Sequence, residues 1–172
     1  MNKIILMLLC VMPLFGCQSK ENTAQTQDQG PVSQRKEAAK KLLVEAVALL
    51  EQKNVQGAVV ALEASIKVNP ADPDPYLLLG QILLKAEQFD HAVELLDQAG
   101  KIFPENGTVY YMLSVANKMD NKKLPAVLAA RRSFDIFKAA NDAENAQKSA
   151  VLLEQVIASP DNPVTPKGSS KT

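Results

Sequence analysis

Histidine and cysteine carry the widest chemistry of the twenty side chains, and this chain of 172 residues has one histidine and two cysteines. The histidine is His91, between Asp90 and Ala92. A lone imidazole, with no second histidine and no thiol near it, completes neither a metal site nor a thiol nucleophile. Its place at the start of an amphipathic stretch is that of a surface side chain. The carboxylates Glu45, Glu51, Glu63, Glu87, Asp90, Glu94 and Asp97 are spread along amphipathic stretches, where they solvate a face. No Gly-rich phosphate loop and no nucleophile elbow occurs. Asn106-Gly107-Thr108 matches a glycosylation acceptor, but Gly107 also suits a turn. The expectation is no enzyme: no catalytic residue, no metal ligand, no cofactor and no small-molecule substrate.

The two cysteines lie at the start of the chain. Met1-Asn2-Lys3 supplies one positive charge, and Ile4 to Phe15 is an almost unbroken apolar run. A helix of twelve residues rises about 18 Å, short of a hydrocarbon core of about 30 Å. A basic start, an apolar run of this length and a small residue, Gly16, read as an export signal. A buried core helix or an uncleaved anchor is the other reading, and the polar sequence that follows at once speaks against it. Leu14-Phe15-Gly16-Cys17 resembles the lipobox of bacterial lipoproteins, although Phe15 stands where a small residue is usual. Cys10 follows Leu9 and fits less well. The resemblance implies cleavage before Cys17, lipidation of the Cys17 thiol with diacylglycerol, and acylation of the new amino group. Gln18 after Cys17 points to the outer membrane, facing the periplasm, ahead of the inner membrane.

The chain carries 19 basic and 19 acidic side chains. Losing Lys3 with the signal at 1–16 would leave 18 against 19. That balance argues against nucleic acid, which calls for a basic stripe. With only Cys17 after processing, no disulfide framework is expected. Residues 17–35 read as the lipidated cysteine and a flexible tether, because Gln, Ser, Asn, Thr and Asp dominate without an apolar period. Residues 159–172, with Pro160, Pro163 and Pro166, read as a disordered tail.

Between the tails, at 36–158, the pattern is helical and periodic. Asn69-Pro70 and Phe103-Pro104 are 34 residues apart, as are Ala58 and Ala92, Leu62 and Leu96, Leu49 and Leu83, Ala46 and Gly80, and Leu42 and Tyr76. A 34-residue helix–turn–helix period resembles tetratricopeptide repeats. The match is fullest at 73–106, where Tyr76, Leu79, Gly80, Leu83, Phe89, Ala92, Leu96, Ala99 and Pro104 fall on the family's positions. It is weaker at 39–72, where Glu45 stands for a leucine. It is weakest at 107–140, where Asn117 and Lys138 replace an apolar residue and a proline. Ala143, Ala146, Ala150, Leu153 and Ile157 make one stripe of a capping helix at 141–158, with Asn141 and Glu144 as its capping pair. The expected fold is all-α: a solenoid of about three repeats with helices near 36–53, 56–68, 74–87, 89–102, 107–119, 124–138 and 142–158.

The resemblance implies a concave face lined by the first helix of each repeat. Its inward positions here are Lys40, Leu43, Val47, Leu50, then Asp74, Leu77, Gln81, Leu84, then Thr108, Tyr111, Val115, Lys118, with Met119 beside them. The groove expected to hold a protein partner is Leu43, Val47, Leu50, Leu77, Gln81, Leu84, Tyr111, Val115 and Met119. Cover by the helix at 141–158 or by a second copy stays open. Lipobox and repeats together resemble pilotins and pilus-assembly lipoproteins. That implies a lipid-anchored adaptor acting on a secretin, pilus or cell-envelope component, with the membrane as its second contact. A scaffold for cell-wall synthases or hydrolases and a self-associating structural lipoprotein are the alternatives.

Overall fold

The computed structural model describes residues 32–160. Among them lie seven helices: α1 Val32–Glu51, α2 Val55–Val68, α3 Asp74–Lys85, α4 Phe89–Ile102, α5 Gly107–Met119, α6 Lys123–Ala139 and α7 Ala143–Ala158. No strand occurs among the described residues. Each helix packs on the next in sequence, so the array is a helical-hairpin solenoid of the repeat type expected. Two odd-numbered pairs also touch, α3 on α5 and α5 on α7, whereas no pair among α2, α4 and α6 packs as closely. The array therefore curves with α1, α3 and α5 on its inner side.

The repeat works by close approach. Ala46, Gly80 and Ser114 share one repeat position and are all buried. So are Ala58, Ala92 and Ala126, at the position they face. In the third repeat the contact is polar: Ser114 Oγ donates to the Ala126 carbonyl at 2.8 Å. A second pair recurs further along. Ser65 Oγ donates to the Ala39 carbonyl at 2.9 Å. Ser133 Oγ, 68 positions later, lies 2.8 Å from the Gly107 carbonyl. Each buried hydroxyl thus has a partner, which removes the cost of burying it.

Two kinds of turn alternate. Pro70 and Pro104 follow α2 and α4, where a further helical turn is impossible. There Tyr76 is fully buried, meets Phe103 edge-on at 5.8 Å, and lies 3.4 Å from the Pro70 carbonyl through its hydroxyl. Burial pushes the Tyr76 phenol up from its ordinary pKa of 10.0. Inside each repeat the helix ends in a left-handed residue: Lys53, Glu87 and Asn121, with φ of 60°, 57° and 59°. The two amides after each helix end fold back in paired bonds, such as Gln88 N–H to Leu83 O and Glu87 N–H to Leu84 O. This is the Schellman arrangement. The residue that closes it then serves as the N-cap of the next helix, and at Asn54 the side chain accepts from Gly57 N–H.

Four expectations change. Val32–Arg35, assigned to the tether, form the first turn of α1. No glycine or proline occurs from Val32 to Glu51, so nothing stops the helix extending backward. The helices expected to end at 53 and 87 stop at Glu51 and Lys85, because Lys53 and Glu87 turn left-handed. The cap of α7 is Asp142, whose carboxylate accepts from Asn145 N–H, and Glu144 pairs with Lys148 instead. Asn141 is the fourth left-handed residue, φ 57°, and ends α6. Where the earlier repeats have proline the third has Lys138, so α6 runs to 17 residues against 14 for α2 and α4. It enters α7 through the turn used within repeats. Accordingly α7 packs along α6 about as extensively as the paired helices of the first and third repeats pack on each other.

Candidate binding groove

The inner face is built from three rungs. Leu43 and Leu50 of α1 are half-buried on the cluster around Ala46, Leu62 and Leu79. Leu77 and Leu84 of α3 lie on the cluster around Ala92, Leu96 and Met112. Tyr111 of α5 reaches that cluster and the next one, where Val115 joins Leu152 and Val156 of α7. These six side chains therefore fill the seams between helices on one side and keep their other side open. Val47 is 43% exposed, Met119 is 49% exposed and Gln81 is exposed.

The floor carries no charge. Leu43, Leu77 and Tyr111 share one repeat position, and Val47, Gln81 and Val115 share the next inward one. Charges stand at the margins, with Lys40 and Asp74 on one edge and Glu51, Lys85 and Lys118 on the other, all exposed or half-exposed. Such a surface holds apolar side chains by burial. The α1, α3 and α5 side chains of its midline offer no cation to a carboxylate, and burying an unpaired charge there is costly.

Helix α7 adds groove residues that the 34-residue period did not reveal. Lys118 Nζ donates to Gln155 Oε1 at 3.3 Å. Lys148 is bonded to Glu144 at 2.7 Å, which raises the lysine's pKa, and lies close enough to Tyr111 to sense its phenol. The signal for them was absent because α7 starts 36 residues after α5, out of register with the 33 that separate α5 from α3. The helix covers Val115 from one side but leaves Leu43, Leu77 and Leu84 uncovered.

His91 is exposed on α4. Among the described residues no group of three or more histidines, cysteines or carboxylates converges as a metal site. No described helix is long and apolar enough to cross a membrane. Cys10 and Cys17 lie outside the described residues.

A family model described as a tetratricopeptide repeat matches residues 49–116. That span runs from the end of α1 into α5 and includes the second rung whole. No curated protein matches the sequence. Solved structures resemble the fold. The TPR2B domain of yeast Sti1, titled as a complex with pHsp70, is 18% identical, with a TM-score of 0.64, covering 70% of this chain and 97% of that one. The Type III secretion translocator chaperone SycD of Yersinia enterocolitica is 14% identical, TM-score 0.62, covering 70% and 92%. PcrH of Pseudomonas aeruginosa is 13% identical, TM-score 0.65, covering 71% and 93%. At these identities the likeness is one of fold.

Proposed function

We propose that this protein is a lipid-anchored adaptor that captures an apolar protein segment in its inner groove and assists assembly of a secretion or pilus complex at the bacterial outer membrane. The observation that carries the binding role is the uncharged row Leu43, Leu77 and Tyr111, one side chain per repeat, half-open to solvent on the inner face. Apolar surface left in a concave row is removed from water only when a partner fills it. The anchor rests on Leu14-Phe15-Gly16-Cys17. Two or more acyl chains give stable membrane attachment, and a tether confines the groove near clients in the same membrane.

The fold neighbours support a binding role in two forms. One is titled as bound to the HSP90 peptide SRMEEVD, which is acidic at its end. Another is titled as PcrH in complex with the chaperone binding region of PopD. The uncharged midline here favours an apolar segment over an acidic terminus.

The test is capture from envelope extracts with wild-type chain and with Leu77→Asp plus Tyr111→Asp, identified by mass spectrometry. Secretin or pilus components should appear with wild type and fall away with the variant, whose helicity should match wild type. Cell-wall synthases or hydrolases in their place would move the function to scaffolding. Unchanged capture by the folded variant would remove the groove from the mechanism. Cys17→Ala should leave the folded chain intact and release it from the membrane fraction.

A further inference from the structure

We infer that the cavity where the end of α5, the start of α6 and the end of α7 meet takes an acidic flank of the same partner segment, an inference that rests on the groove assignment. The cavity measures about 930 Å³. That is room for a few residues of peptide. Its apolar lining comes from Leu124, which is 68% exposed, with Pro125 and Val127. Its rim is basic, from Lys118, Lys122 and Lys123.

The rim lysines are positioned rather than loose. Lys122 pairs with Asp120 at 2.6 Å and stands 3.9 Å from Asp90. Lys123 donates to the Ser159 carbonyl at 2.7 Å, holding the end of α7 against the start of α6. Lys118 makes the longer 3.3 Å bond to Gln155, an uncharged partner. Its positive charge is therefore uncompensated by that contact. An incoming carboxylate gains a charge-assisted bond there and exchanges little for it.

The cavity and the groove meet at Lys118, which lines the cavity and stands at the groove's margin. Lys118 lies seven residues along α5 from Tyr111, about 10 Å at the helical rise. An extended segment covers that in about three residues. A partner whose apolar side chain sits on Tyr111 thus brings an aspartate or glutamate to Lys118 about three positions further on.

The experiment selects binders from a random peptide-display library on the full-length chain in detergent, then measures the best synthetic peptides by fluorescence polarisation. The expected consensus has an acidic residue about three positions from an apolar anchor. Lys118→Glu reverses the charge the carboxylate meets and should weaken those peptides roughly tenfold, and added salt should weaken them too. A consensus without the acidic residue overturns the inference. So does binding within twofold of wild type for Lys118→Glu while Leu77→Asp abolishes it, a result that leaves the groove standing. Binding untouched by Leu77→Asp overturns the groove assignment as well. Binding that emerges only when residues 161–172 are deleted makes the chain's own end the occupant and overturns it. Self-association of the wild-type chain that peptide cannot displace would name a second copy instead and would also overturn it.

Discussion

Ser133 and Ser149 face each other across the α6–α7 interface with their hydroxyl oxygens 2.9 Å apart, both fully buried. Ser133 Oγ also lies 2.8 Å from the Gly107 carbonyl, and Ser149 Oγ lies 2.9 Å from the Asn145 carbonyl. Two hydroxyls own two protons, so two of these three contacts are hydrogen bonds at any moment. The protons take one of three arrangements: Ser149 donates through Ser133 to Gly107, Ser133 donates through Ser149 to Asn145, or each hydroxyl donates to its own carbonyl. The first arrangement ties α5, α6 and α7 together. Either alanine leaves one hydroxyl with a backbone acceptor of its own. Ser133→Ala and Ser149→Ala should each lower stability by about 1 kcal/mol, and the pair by about 2 kcal/mol. Urea unfolding of the four chains measures it. A double variant no less stable than either single would rule the two-bond chain out.

Two glycines give opposite predictions for the same substitution. A Cβ on Gly80 would stand 3.2 Å from Leu96 Cδ2, tighter than an ordinary contact, and Leu96 is fully buried. A Cβ on Gly100 would meet nothing nearer than the Tyr110 ring at 3.5 Å, an ordinary contact. Alanine in a helix gains up to about 1 kcal/mol over glycine. Overpacking a core costs about 1–3 kcal/mol. Gly100→Ala should therefore stabilise the protein or leave it unchanged, and Gly80→Ala should destabilise it. Thermal denaturation settles both, and the same sign for the two would contradict the close-approach account.

What was legible in the sequence follows the same line. Gly80, Ala92 and Leu96 are types forced by close packing, so the period showed through them and gave the helical hairpins. The turns inside repeats did not show, because Lys53 and Glu87 adopt φ near 60° although neither is glycine, the usual marker. Their neighbours' paired backbone bonds hold them there, and backbone bonds leave no trace in residue type. The groove row Leu43, Leu77 and Tyr111 was legible as apolar side chains in register. Its half-burial was not, because that depends on how far each neighbouring helix leans over it. The part played by α7 was hidden for a different reason: Lys138 breaks the proline signal and with it the period.

Asp142 makes α7 sensitive to acid. Its carboxyl pKa is held below the ordinary 3.8, first by the hydrogen bond from the Asn145 side chain and then by that from the Asn145 backbone amide. A group with a depressed folded pKa adds stability above its unfolded pKa and loses it as pH falls through the folded value. Wild type should therefore exceed Asp142→Ala in thermal stability at neutral pH, with the gap closing as pH drops below the ordinary aspartate range. Asp142→Asn should retain part of the cap at every pH, since an amide oxygen also accepts. A gap that stays constant down to pH 2 would show that the carboxylate charge contributes nothing.

Glu45 occupies the repeat position of Leu79 and Leu113, both buried, yet it is exposed. Glu45 lies on α1, the first helix among the described residues. Leu42, Glu45, Leu49, Val60, Ala61 and Ala64 line a recess of about 540 Å³ on α1 and α2. The matching face of the third repeat, with Tyr110, Leu113, Asn117, Leu128, Ala129 and Arg132, borders Val93 and Asp97 of α4. Among the described residues no helix precedes α1 to play that part. The glutamate keeps an otherwise apolar end face hydrated, as a terminal repeat requires. Glu45→Leu should leave helicity unchanged and make the chain associate with rising concentration, because it joins Leu42, Leu49 and Val60 into one apolar patch. Sedimentation velocity across a concentration series reads this out. Glu45→Gln, which keeps the face polar without charge, should stay as wild type. If the leucine variant stays as dispersed as wild type, the end face is not held open by Glu45.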